Sequence, residues 1–501
     1  MIEISNGKIL VIGAGIMGTG IAQVAAQAGH QVALFDAKDG ANTKAIESLS
    51  KSLENLVSRG KMSAEKMQHT LQNIQPIDHL SKAQDAILVI EAIVEKLEVK
   101  RALFQELESV VSKDCILATN TSSISVTAIA NGMQHPQRLV GMHFFNPVPV
   151  MKLVEVVSGL QTDPAIANAI FGLAQAWSKV PVHTKSTPGF IVNRIARPFY
   201  AEALSLLQEQ VASPFEIDSC LKSAGFKMGP CELMDLIGHD TNFSVTSSVY
   251  EANFFDKRFT PSLVQKELVD GGLFGRKSGK GFYDYSSDAV KPNIVTPDPK
   301  PLPSKVKVVL HGAQPLISFF SEQLEAINLK FEFDEESDWS GISYNQIEIR
   351  ITDGLMATEM DHNAVLLDQS FAPYAGMHLA WTHSTTASKE LMKSVENFLI
   401  NLGIQPIKVI DSPGLIVART IAMLINEACD AVNQGVCTEE AVNQAMRLGV
   451  NYPQGPFDWL EQWSAADVAF LLDSMDDFYR GERYRVSPML RRKSCEDLLN
   501  E

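Results

Sequence analysis

The chain has 501 residues, and its 43 basic against 59 acidic side chains leave a formal net charge of −16. That length provides for several domains with cores of their own, while the acidic balance excludes a general nucleic-acid-binding surface. Six scattered cysteines without a Cys-x-x-Cys pair give no basis for a disulfide framework or a zinc site, and no metal is expected.

Lys8–Ile12 reads as a short apolar strand running into Gly13-Ala-Gly15-Ile-Met-Gly18. An alanine-rich helix from Thr19 to Ala28 follows, then a second strand, Gln31–Asp36, that ends in an acid. The stretch from Ile9 to Gly29 is apolar, but Glu3 precedes it, only Lys8 is basic and glycines interrupt it. A strand–turn–helix explains it better than a secretion signal. No run of about 18 apolar residues occurs, so no membrane partner is expected and the location reads as cytoplasmic. In this order the glycines carry a mechanism. Gly13 permits the tight turn, Gly15 lets the backbone approach a pyrophosphate, and Gly18 allows close helix–strand packing, while the helix N-terminus offers unpaired N–H groups. Asp36 would accept hydrogen bonds from the adenosine ribose. That favours NAD over NADP, because a 2′-phosphate would meet a like charge; Lys38 beside it pulls the other way. A glycine-rich turn without a nucleotide is the alternative.

Residues 41 to 72 are polar with helical spacing, a larger insertion than a plain crossover needs. Ser52, Arg59 and Lys61 along this helix pair are either a solvated face or a grip for the phosphates of a substrate with a nucleotide tail. Ala86–Glu91 is a further buried strand, and Ile116–Thr119 is another that ends in Asn120-Thr-Ser122-Ser123. Open α/β sheets bind ligands beyond the carboxyl ends of their strands. Asn120 and Ser122 are therefore candidate site residues, although such residues are also ordinary turn and cap formers.

Gly141–Val157 reads as two strands rich in β-formers about a turn carrying Pro147 and Pro149. His143 and Glu155 sit symmetrically about Pro149, so the hairpin brings imidazole and carboxylate together. Such a pairing fixes the tautomer and raises basicity, as a general base requires. A half-buried histidine and a surface glutamate on an ordinary hairpin are the alternative.

Six stretches carry a resemblance. They are Gly13–Gly18, Glu91-Ala-Ile-Val-Glu95, Asn120-Thr-Ser-Ser123, His143-Phe-Phe-Asn-Pro-Val-Pro, Thr187-Pro-Gly-Phe-Ile-Val-Asn193-Arg and Phe274-Gly-Arg-Lys-Ser-Gly-Lys-Gly-Phe-Tyr283. In that order, across residues 1 to about 285, the sequence resembles the 3-hydroxyacyl-CoA dehydrogenase family. The resemblance implies NAD as cofactor, an acyl-CoA substrate, and oxidation of an (S)-3-hydroxyacyl-CoA to the 3-oxoacyl-CoA. It implies His143 as catalytic base with Glu155 as its partner, and Ser122 and Asn193 as contacts of the reacting substrate. Glu95, Lys100 and Lys277 fall around the cofactor, where Asn120 and the pocket-shaping Asn146 are counted too. Ser52 falls at the coenzyme A moiety, with Arg59 and Lys61 near by. The rival reading is a dehydrogenase of free 3-hydroxyacids; such enzymes use a lysine acid/base, which the His143–Glu155 hairpin counts against. The chain's length resembles that of bacterial members acting on short or dicarboxylic acyl chains. Lys152, Arg194 and Arg197 are candidate cations for a far carboxylate.

Thr187-Pro-Gly opens a helical region, and the proline-rich stretch from Lys291 to Pro303 reads as a semi-rigid linker. The remainder contains an internal repeat. Thr187-Pro-Gly-Phe-Ile-Val-Asn193-Arg recurs as Ser412-Pro-Gly-Leu-Ile-Val-Ala418-Arg, so that Pro188 and Pro413, Asn193 and Ala418, and Glu202 and Glu427 all stand 225 residues apart. Strands are predicted at 306–310, 347–351, 364–367 and 377–381, with a helix at 388–401. Gly376-Met-His378 echoes Gly141-Met-His143, and His378 reads as a structural remnant. The expected fold is an α/β Rossmann-type domain plus an all-α domain, followed by a degenerate α/β domain and a second all-α domain. The boundaries are 1–185 with the catalytic hairpin, 186–285, a linker at 286–304, 305–408, and a non-catalytic 409–501. Helical domains of the resembling family form dimer contacts, so the two copies are expected to pair as an intramolecular pseudo-dimer, with a homodimer left open.

Overall fold

The computed structural model describes residues 7–290, 292–303, 305–334 and 336–500. Lys291 and Ser304 of the expected linker lie outside the described residues. Contacts divide the chain into two compact units. One is the chain up to Arg194 together with Gln434–Val450; the other is Ile195–Asn433 together with the chain from Asn451 onward.

The first unit is built on eight strands: β1 (Lys8–Ile12), β2 (Val32–Phe35), β3 (Ile74–Ile77), β4 (Ala86–Glu91), β5 (Ile116–Thr119), β6 (Leu139–Phe144), β7 (Leu153–Ser158) and β8 (Val180–Lys185). They lie in the order β3-β2-β1-β4-β5-β6-β7-β8. Every neighbouring pair is parallel except β6 and β7. The strands are apolar on both faces because helices cover both sides. Ile9 and Val11 pack toward the helix Ile16–Gln27, and Leu10 and Ile12 toward the helix Leu97–Val110. Each such side chain, fully buried, contributes about 1.5–3 kcal/mol. The polar insertion forms the helices Ala41–Ser58 and Ala64–Gln72. β3, which the sequence reading did not anticipate, follows them; it carries Pro76 and accordingly sits at the sheet edge. The strand order reverses beside β1, so the glycine turn after β1 opens at the point where such sheets bind ligands.

The second unit contains a mixed seven-stranded sheet: β9 (Val308–His311), β10 (Glu332–Asp334), β11 (Gly341–Tyr344), β12 (Ile347–Ile351), β13 (Val365–Leu367), β14 (His378–His383) and β15 (Gln405–Lys408). Their order is β10-β9-β11-β12-β13-β14-β15. β11 is antiparallel to both its neighbours. β13 is antiparallel to β14, which is parallel to β15, the same pairing that joins β6, β7 and β8. The exposed β10 is three residues long, too short for its single apolar side chain, Phe333, to mark a strand.

This register corrects the echo at His378. β14 stands in the place of β7, not β6, and His378 is its first residue. At the 225-residue spacing Asp368 is the counterpart of His143 and Ala380 that of Glu155, and the Asp368 N–H donates to Ala380 O at 2.9 Å. A three-residue echo cannot set the register of strands, where a slip changes every partner.

The helices Arg197–Gln208 and Val417–Asn433 pack against each other in the second unit. Ion pairs there are exchanged between repeat counterparts: Glu202 meets Arg483 at 2.7 Å, and Glu427 meets Arg258 at 2.9 Å. Arg258 and Arg483 are themselves 225 residues apart. Arg419 adds a contact to Glu202 at 3.1 Å, both side chains being fully buried. Removing one member of such a group strands the others without solvent. Glu202→Ala is expected to destabilise the protein by about 3–5 kcal/mol and to lower the Tm by on the order of 10 °C. Thermal unfolding followed by circular dichroism checks this, and an unchanged Tm would deny the network its structural role.

Candidate active site

The glycine turn divides its labour. Gly13 has φ +106°, and a Cβ there would lie 2.4 Å from Ala92 O. A Cβ on Gly18 would lie 1.8 Å from Gly13 O, whereas one on Gly15 would meet nothing within 4 Å. Two glycines thus serve backbone packing and the third leaves an open approach. The helix Ile16–Gln27 begins at Gly15 with no side-chain cap, leaving N–H groups for an anion. Asp36 accepts hydrogen bonds from Ala14 N at 2.7 Å and Lys38 N at 2.9 Å. It stands in a cleft of about 970 Å³ lined also by Gly13, Gly15, Phe35, Val94 and Ala102. An apolar slot with one acid at a strand end and open N–H groups beside it fits the adenosine and pyrophosphate of a dinucleotide.

Beyond β4 and β5 lies a polar network. Lys100 is 1 % exposed; it donates to Glu91 at 2.6 Å and pairs with Glu95 at 3.2 Å. Glu91 also accepts from Ile93 N and Thr119 Oγ1, both at 2.7 Å. Glu95 accepts from Thr121 Oγ1 at 2.6 Å, Ser122 N at 2.8 Å and Ser122 Oγ at 3.2 Å. Burial opposes its charge, yet the Lys100 ammonium and these donors hold its carboxyl below the usual glutamate range. Asn193 Nδ2 donates to Ser122 O at 3.4 Å, and Asn120 Oδ1 accepts from Phe144 N at 2.8 Å. Glu95, Lys100, Ser122, Asn193 and Asn120 therefore form connected surroundings for the end of β6.

His143 faces Glu155 across the β6–β7 ladder, with Nδ1 2.5 Å from Oε2. An ionised carboxylate can only accept, so Nδ1 carries the proton and Nε2 is the basic nitrogen. The Phe145 and Phe190 rings flank the imidazole at 4.6 and 5.8 Å. The other oxygen of Glu155 accepts from Ile191 N and Val192 N, each at 3.0 Å. Gly189 (φ +77°) and Phe190 (φ +50°) turn the chain so that these N–H groups converge on the buried carboxylate. Pro188-Gly189 thus builds an anion cradle as well as starting a helix. The repeat keeps that turn in Gly414 (φ +69°) and Leu415 (φ +48°). There Asp368 accepts from Ile416 N, Val417 N and Ala418 N at 3.0, 2.7 and 2.9 Å. The second cradle holds an acid with Ala380 opposite, and no imidazole. The sequence reading missed Asp368, although the constant 225-residue spacing pointed to it.

Ser52 lines a second cleft, of about 740 Å³, with Thr19, Lys38, Lys44 and the turn from Asn146 to Val150. Arg59 caps the end of the helix Ala41–Ser58 and Lys61 follows it, both outside that lining. Lys44, on the same helix face as Ser48 and Ser52 by its spacing of four residues, lines the cleft together with Lys38. Lys277 belongs to the other unit, where it pairs with Asp240. Of the candidate cations, Arg194 is buried and donates to Gln434 at 2.9 Å, Arg197 lies in the second unit and donates to Thr246 at 3.0 Å, and Lys152 is exposed. Among the described residues no cluster of three His, Cys, Asp or Glu side chains is placed to hold a metal, and no helix is long and apolar enough to cross a membrane.

The pattern of the 3-hydroxyacyl-CoA dehydrogenase NAD binding domain matches residues 8–187, and that of the 3-hydroxyacyl-CoA dehydrogenase C-terminal domain matches residues 189–285 and 414–500. The chain belongs to the 3-hydroxyacyl-CoA dehydrogenase family and is an NAD-dependent oxidoreductase. It is 42% identical over 487 residues to the 3-hydroxyadipyl-CoA dehydrogenase of Escherichia coli K12, which covers 97% of each chain. It is 41% identical over 280 residues to the 3-hydroxybutyryl-CoA dehydrogenase of Clostridioides difficile, covering 56% of this chain and 99% of that one. The crystal structure of 3-hydroxybutyryl-CoA dehydrogenase from Escherichia coli K12 superposes with a TM-score of 0.90 at 40% identity, over 99% of this chain and all of that one.

The β6–β7 turn is held from below by Lys179, whose ammonium donates to Val148 O at 2.5 Å and Met151 O at 2.8 Å. Burial pushes its pKa down to about 8. The unfolded chain, with lysine near 10.4, then holds this proton more tightly, so stability from this group rises as pH goes from about 8 to about 10.4. In urea titrations the parent protein is expected to gain stability relative to Lys179→Met over that window; a constant difference would refute the shift.

Proposed function

We propose that this protein oxidises the 3-hydroxyl of an (S)-3-hydroxyacyl-CoA with His143 as general base, the buried His143–Glu155 pair being the observation that carries the reading. His143 Nε2 takes the hydroxyl proton as hydride leaves C3, and returns it in the reverse direction. NAD, when bound, is the hydride acceptor. Glu155 stabilises the imidazolium that forms and keeps the ring from rotating. Ser122 and Asn193 donate to the substrate oxygens, and Glu95 holds the Ser122 turn in place. Lys38, Lys44 and Ser52 meet the phosphate-bearing end of coenzyme A. The full-length Escherichia coli relative is named for a dicarboxylic substrate and the solved structure for a short monocarboxylic one, so the acyl chain is taken as short, with or without a terminal carboxylate.

The second half serves as scaffold in this reading. Asp368, Ala380 and Ala418 stand where His143, Glu155 and Asn193 stand in the first, and Leu310-His-Gly-Ala has no glycine fingerprint. Its helices pair with those of the first copy as an internal pseudo-dimer, supported by the exchanged Glu202–Arg483 and Glu427–Arg258 contacts. In a two-fold interface residue i meets j and j meets i.

His143→Ala is expected to lower kcat for NADH formation by about two to four orders of magnitude, the usual weight of a positioned base; turnover at the parental rate would remove His143 from the mechanism. In the same assay, 3-hydroxyacyl-CoAs of differing length, with and without a terminal carboxylate, are expected to react while the free 3-hydroxyacids do not. Equal rates on free acids would overturn the coenzyme A assignment. A chain ending at residue 290 is expected to melt well below the full chain, and equal stability would count against the internal pairing.

A further inference from the structure

Residues 434 to 450 fall in the segment that matches the family's helical domain for a second time, yet they pack with the first α/β unit. Three contacts define how. Lys185 N, at the end of β8, donates to Val436 O at 2.9 Å. Arg194 Nη1 donates to Gln434 Oε1 at 2.9 Å. The helix Glu439–Gly449 lies on β7 and β8, and at its end Gly449 is so close that a Cβ would come within 2.8 Å of Leu153 Cδ2 and 3.0 Å of Val192 Cγ2.

These anchors bracket one loop. Lys185 precedes it, Arg194 follows it, and Val192 lies within it. The same loop supplies the Ile191 and Val192 N–H groups to Glu155 and the Asn193 amide to Ser122. Cys437 is near enough to Glu155 that the carboxylate's charge, after burial, helps to push its thiol up to about 12. The counterpart segment of the first helical copy does the same for the second sheet. Ile410 N donates to Val211 O at 3.2 Å, matching the Lys185–Val436 bond at the 225-residue spacing on both sides. Ser223 Oγ then accepts from His378 N at 2.9 Å, on β14. Each helical copy therefore lends one helix to the other copy's sheet. Only in the first unit does a histidine stand across the ladder from the cradled carboxylate; opposite Asp368 is Ala380.

Building on the assignment of His143 and Glu155, we infer that Gln434 and Gly449, from the otherwise non-catalytic half of the chain, are positioning residues for the reaction. They clamp the 186–193 loop so that Glu155 and Asn193 stay in place. A mobile loop would let Glu155 lose its N–H donors and His143 its fixed orientation, while the glycine turn and Asp36, on the far strands, would be unaffected.

The test uses the full-length chain. Gln434→Ala is expected to lower kcat at least about tenfold, since a displacement near 1 Å at a reacting group costs more than that. NADH affinity, read by fluorescence titration, is expected to stay within about twofold of the parent, because the dinucleotide cleft is not touched. Gln434→Glu, which keeps an acceptor for Arg194, is expected to restore most of the rate. Gly449→Val presses on Val192 from the other side and is expected to show the same loss of kcat with unchanged NADH affinity. Parental kcat in both Gln434→Ala and Gly449→Val overturns the inference. So does a parallel loss of rate, NADH affinity and Tm without rescue by Gln434→Glu, which marks a merely structural contact. His143→Ala run alongside separates the two levels. If that variant keeps its rate the base is misassigned; if it alone fails, only the clamp is wrong.

Discussion

A carboxylate with no solvent around it dictates much of the first unit. Glu155 is fully buried and has no lysine or arginine contact among the described residues; its charge is met by the His143 ring and by two backbone N–H groups. An uncompensated charge at such a place would cost roughly 3–5 kcal/mol. The constraint therefore reaches outward. It demands that β6 and β7 pair in one register, that the chain after β8 turn through two left-handed residues, and that the following loop be held still. Asn193 comes to Ser122 as a by-product of that turn, and Ser122 is fixed in turn by Glu95 and Lys100. What looks like a list of separate site residues is one satisfied network around a buried anion.

The repeat separates what packing requires of this arrangement from what the proposed chemistry adds to it. Its cradle is preserved to the level of the turn angles, and it still encloses an acid. That acid has moved to the neighbouring strand as Asp368, reaching the N–H groups of Ile416, Val417 and Ala418 directly. Burial pushes its carboxyl up to about 6 in spite of those donors. Three converging N–H groups need an acceptor whether or not a reaction is run, so the acceptor stays. An imidazole facing an active centre has no such structural necessity, and the repeat lacks it.

Electrostatics is handled locally in a chain that is acidic as a whole. Substrate and cofactor are both anionic, yet the net charge is −16. The open start of the helix Ile16–Gln27 and the lysines at 38 and 44 put positive charge beside the two clefts, where the proposed function sets the phosphates. Buried arginines elsewhere, such as Arg258 and Arg419, each meet a carboxylate of the other helical copy and join the two copies instead. Opposite charges exchanged between repeat counterparts give that contact its register as well as its strength.

Composition, the glycine turn, the His143–Glu155 hairpin and the 225-residue repeat were legible in the sequence, because each rests on interactions within a few residues or on simple spacing. A strand closed by a short turn has few registers open to it, so two residues symmetric about Pro149 were bound to meet. The three-residue echo at His378 failed for the opposite reason, since nothing local ties that segment to its partner strand. Lys44 shares the helix face of Ser52 by spacing alone, but that this face lines a cleft with the Asn146–Val150 turn is decided by the fold. The placement of residues 434–450 beside β7 and β8 belongs wholly to the tertiary structure. Those residues are some 280 positions from β7, and no periodicity in a helix says which sheet it will cover; its packing on β7 and β8, with Gly449 close against Leu153 and Val192, is decided only once the whole chain has folded.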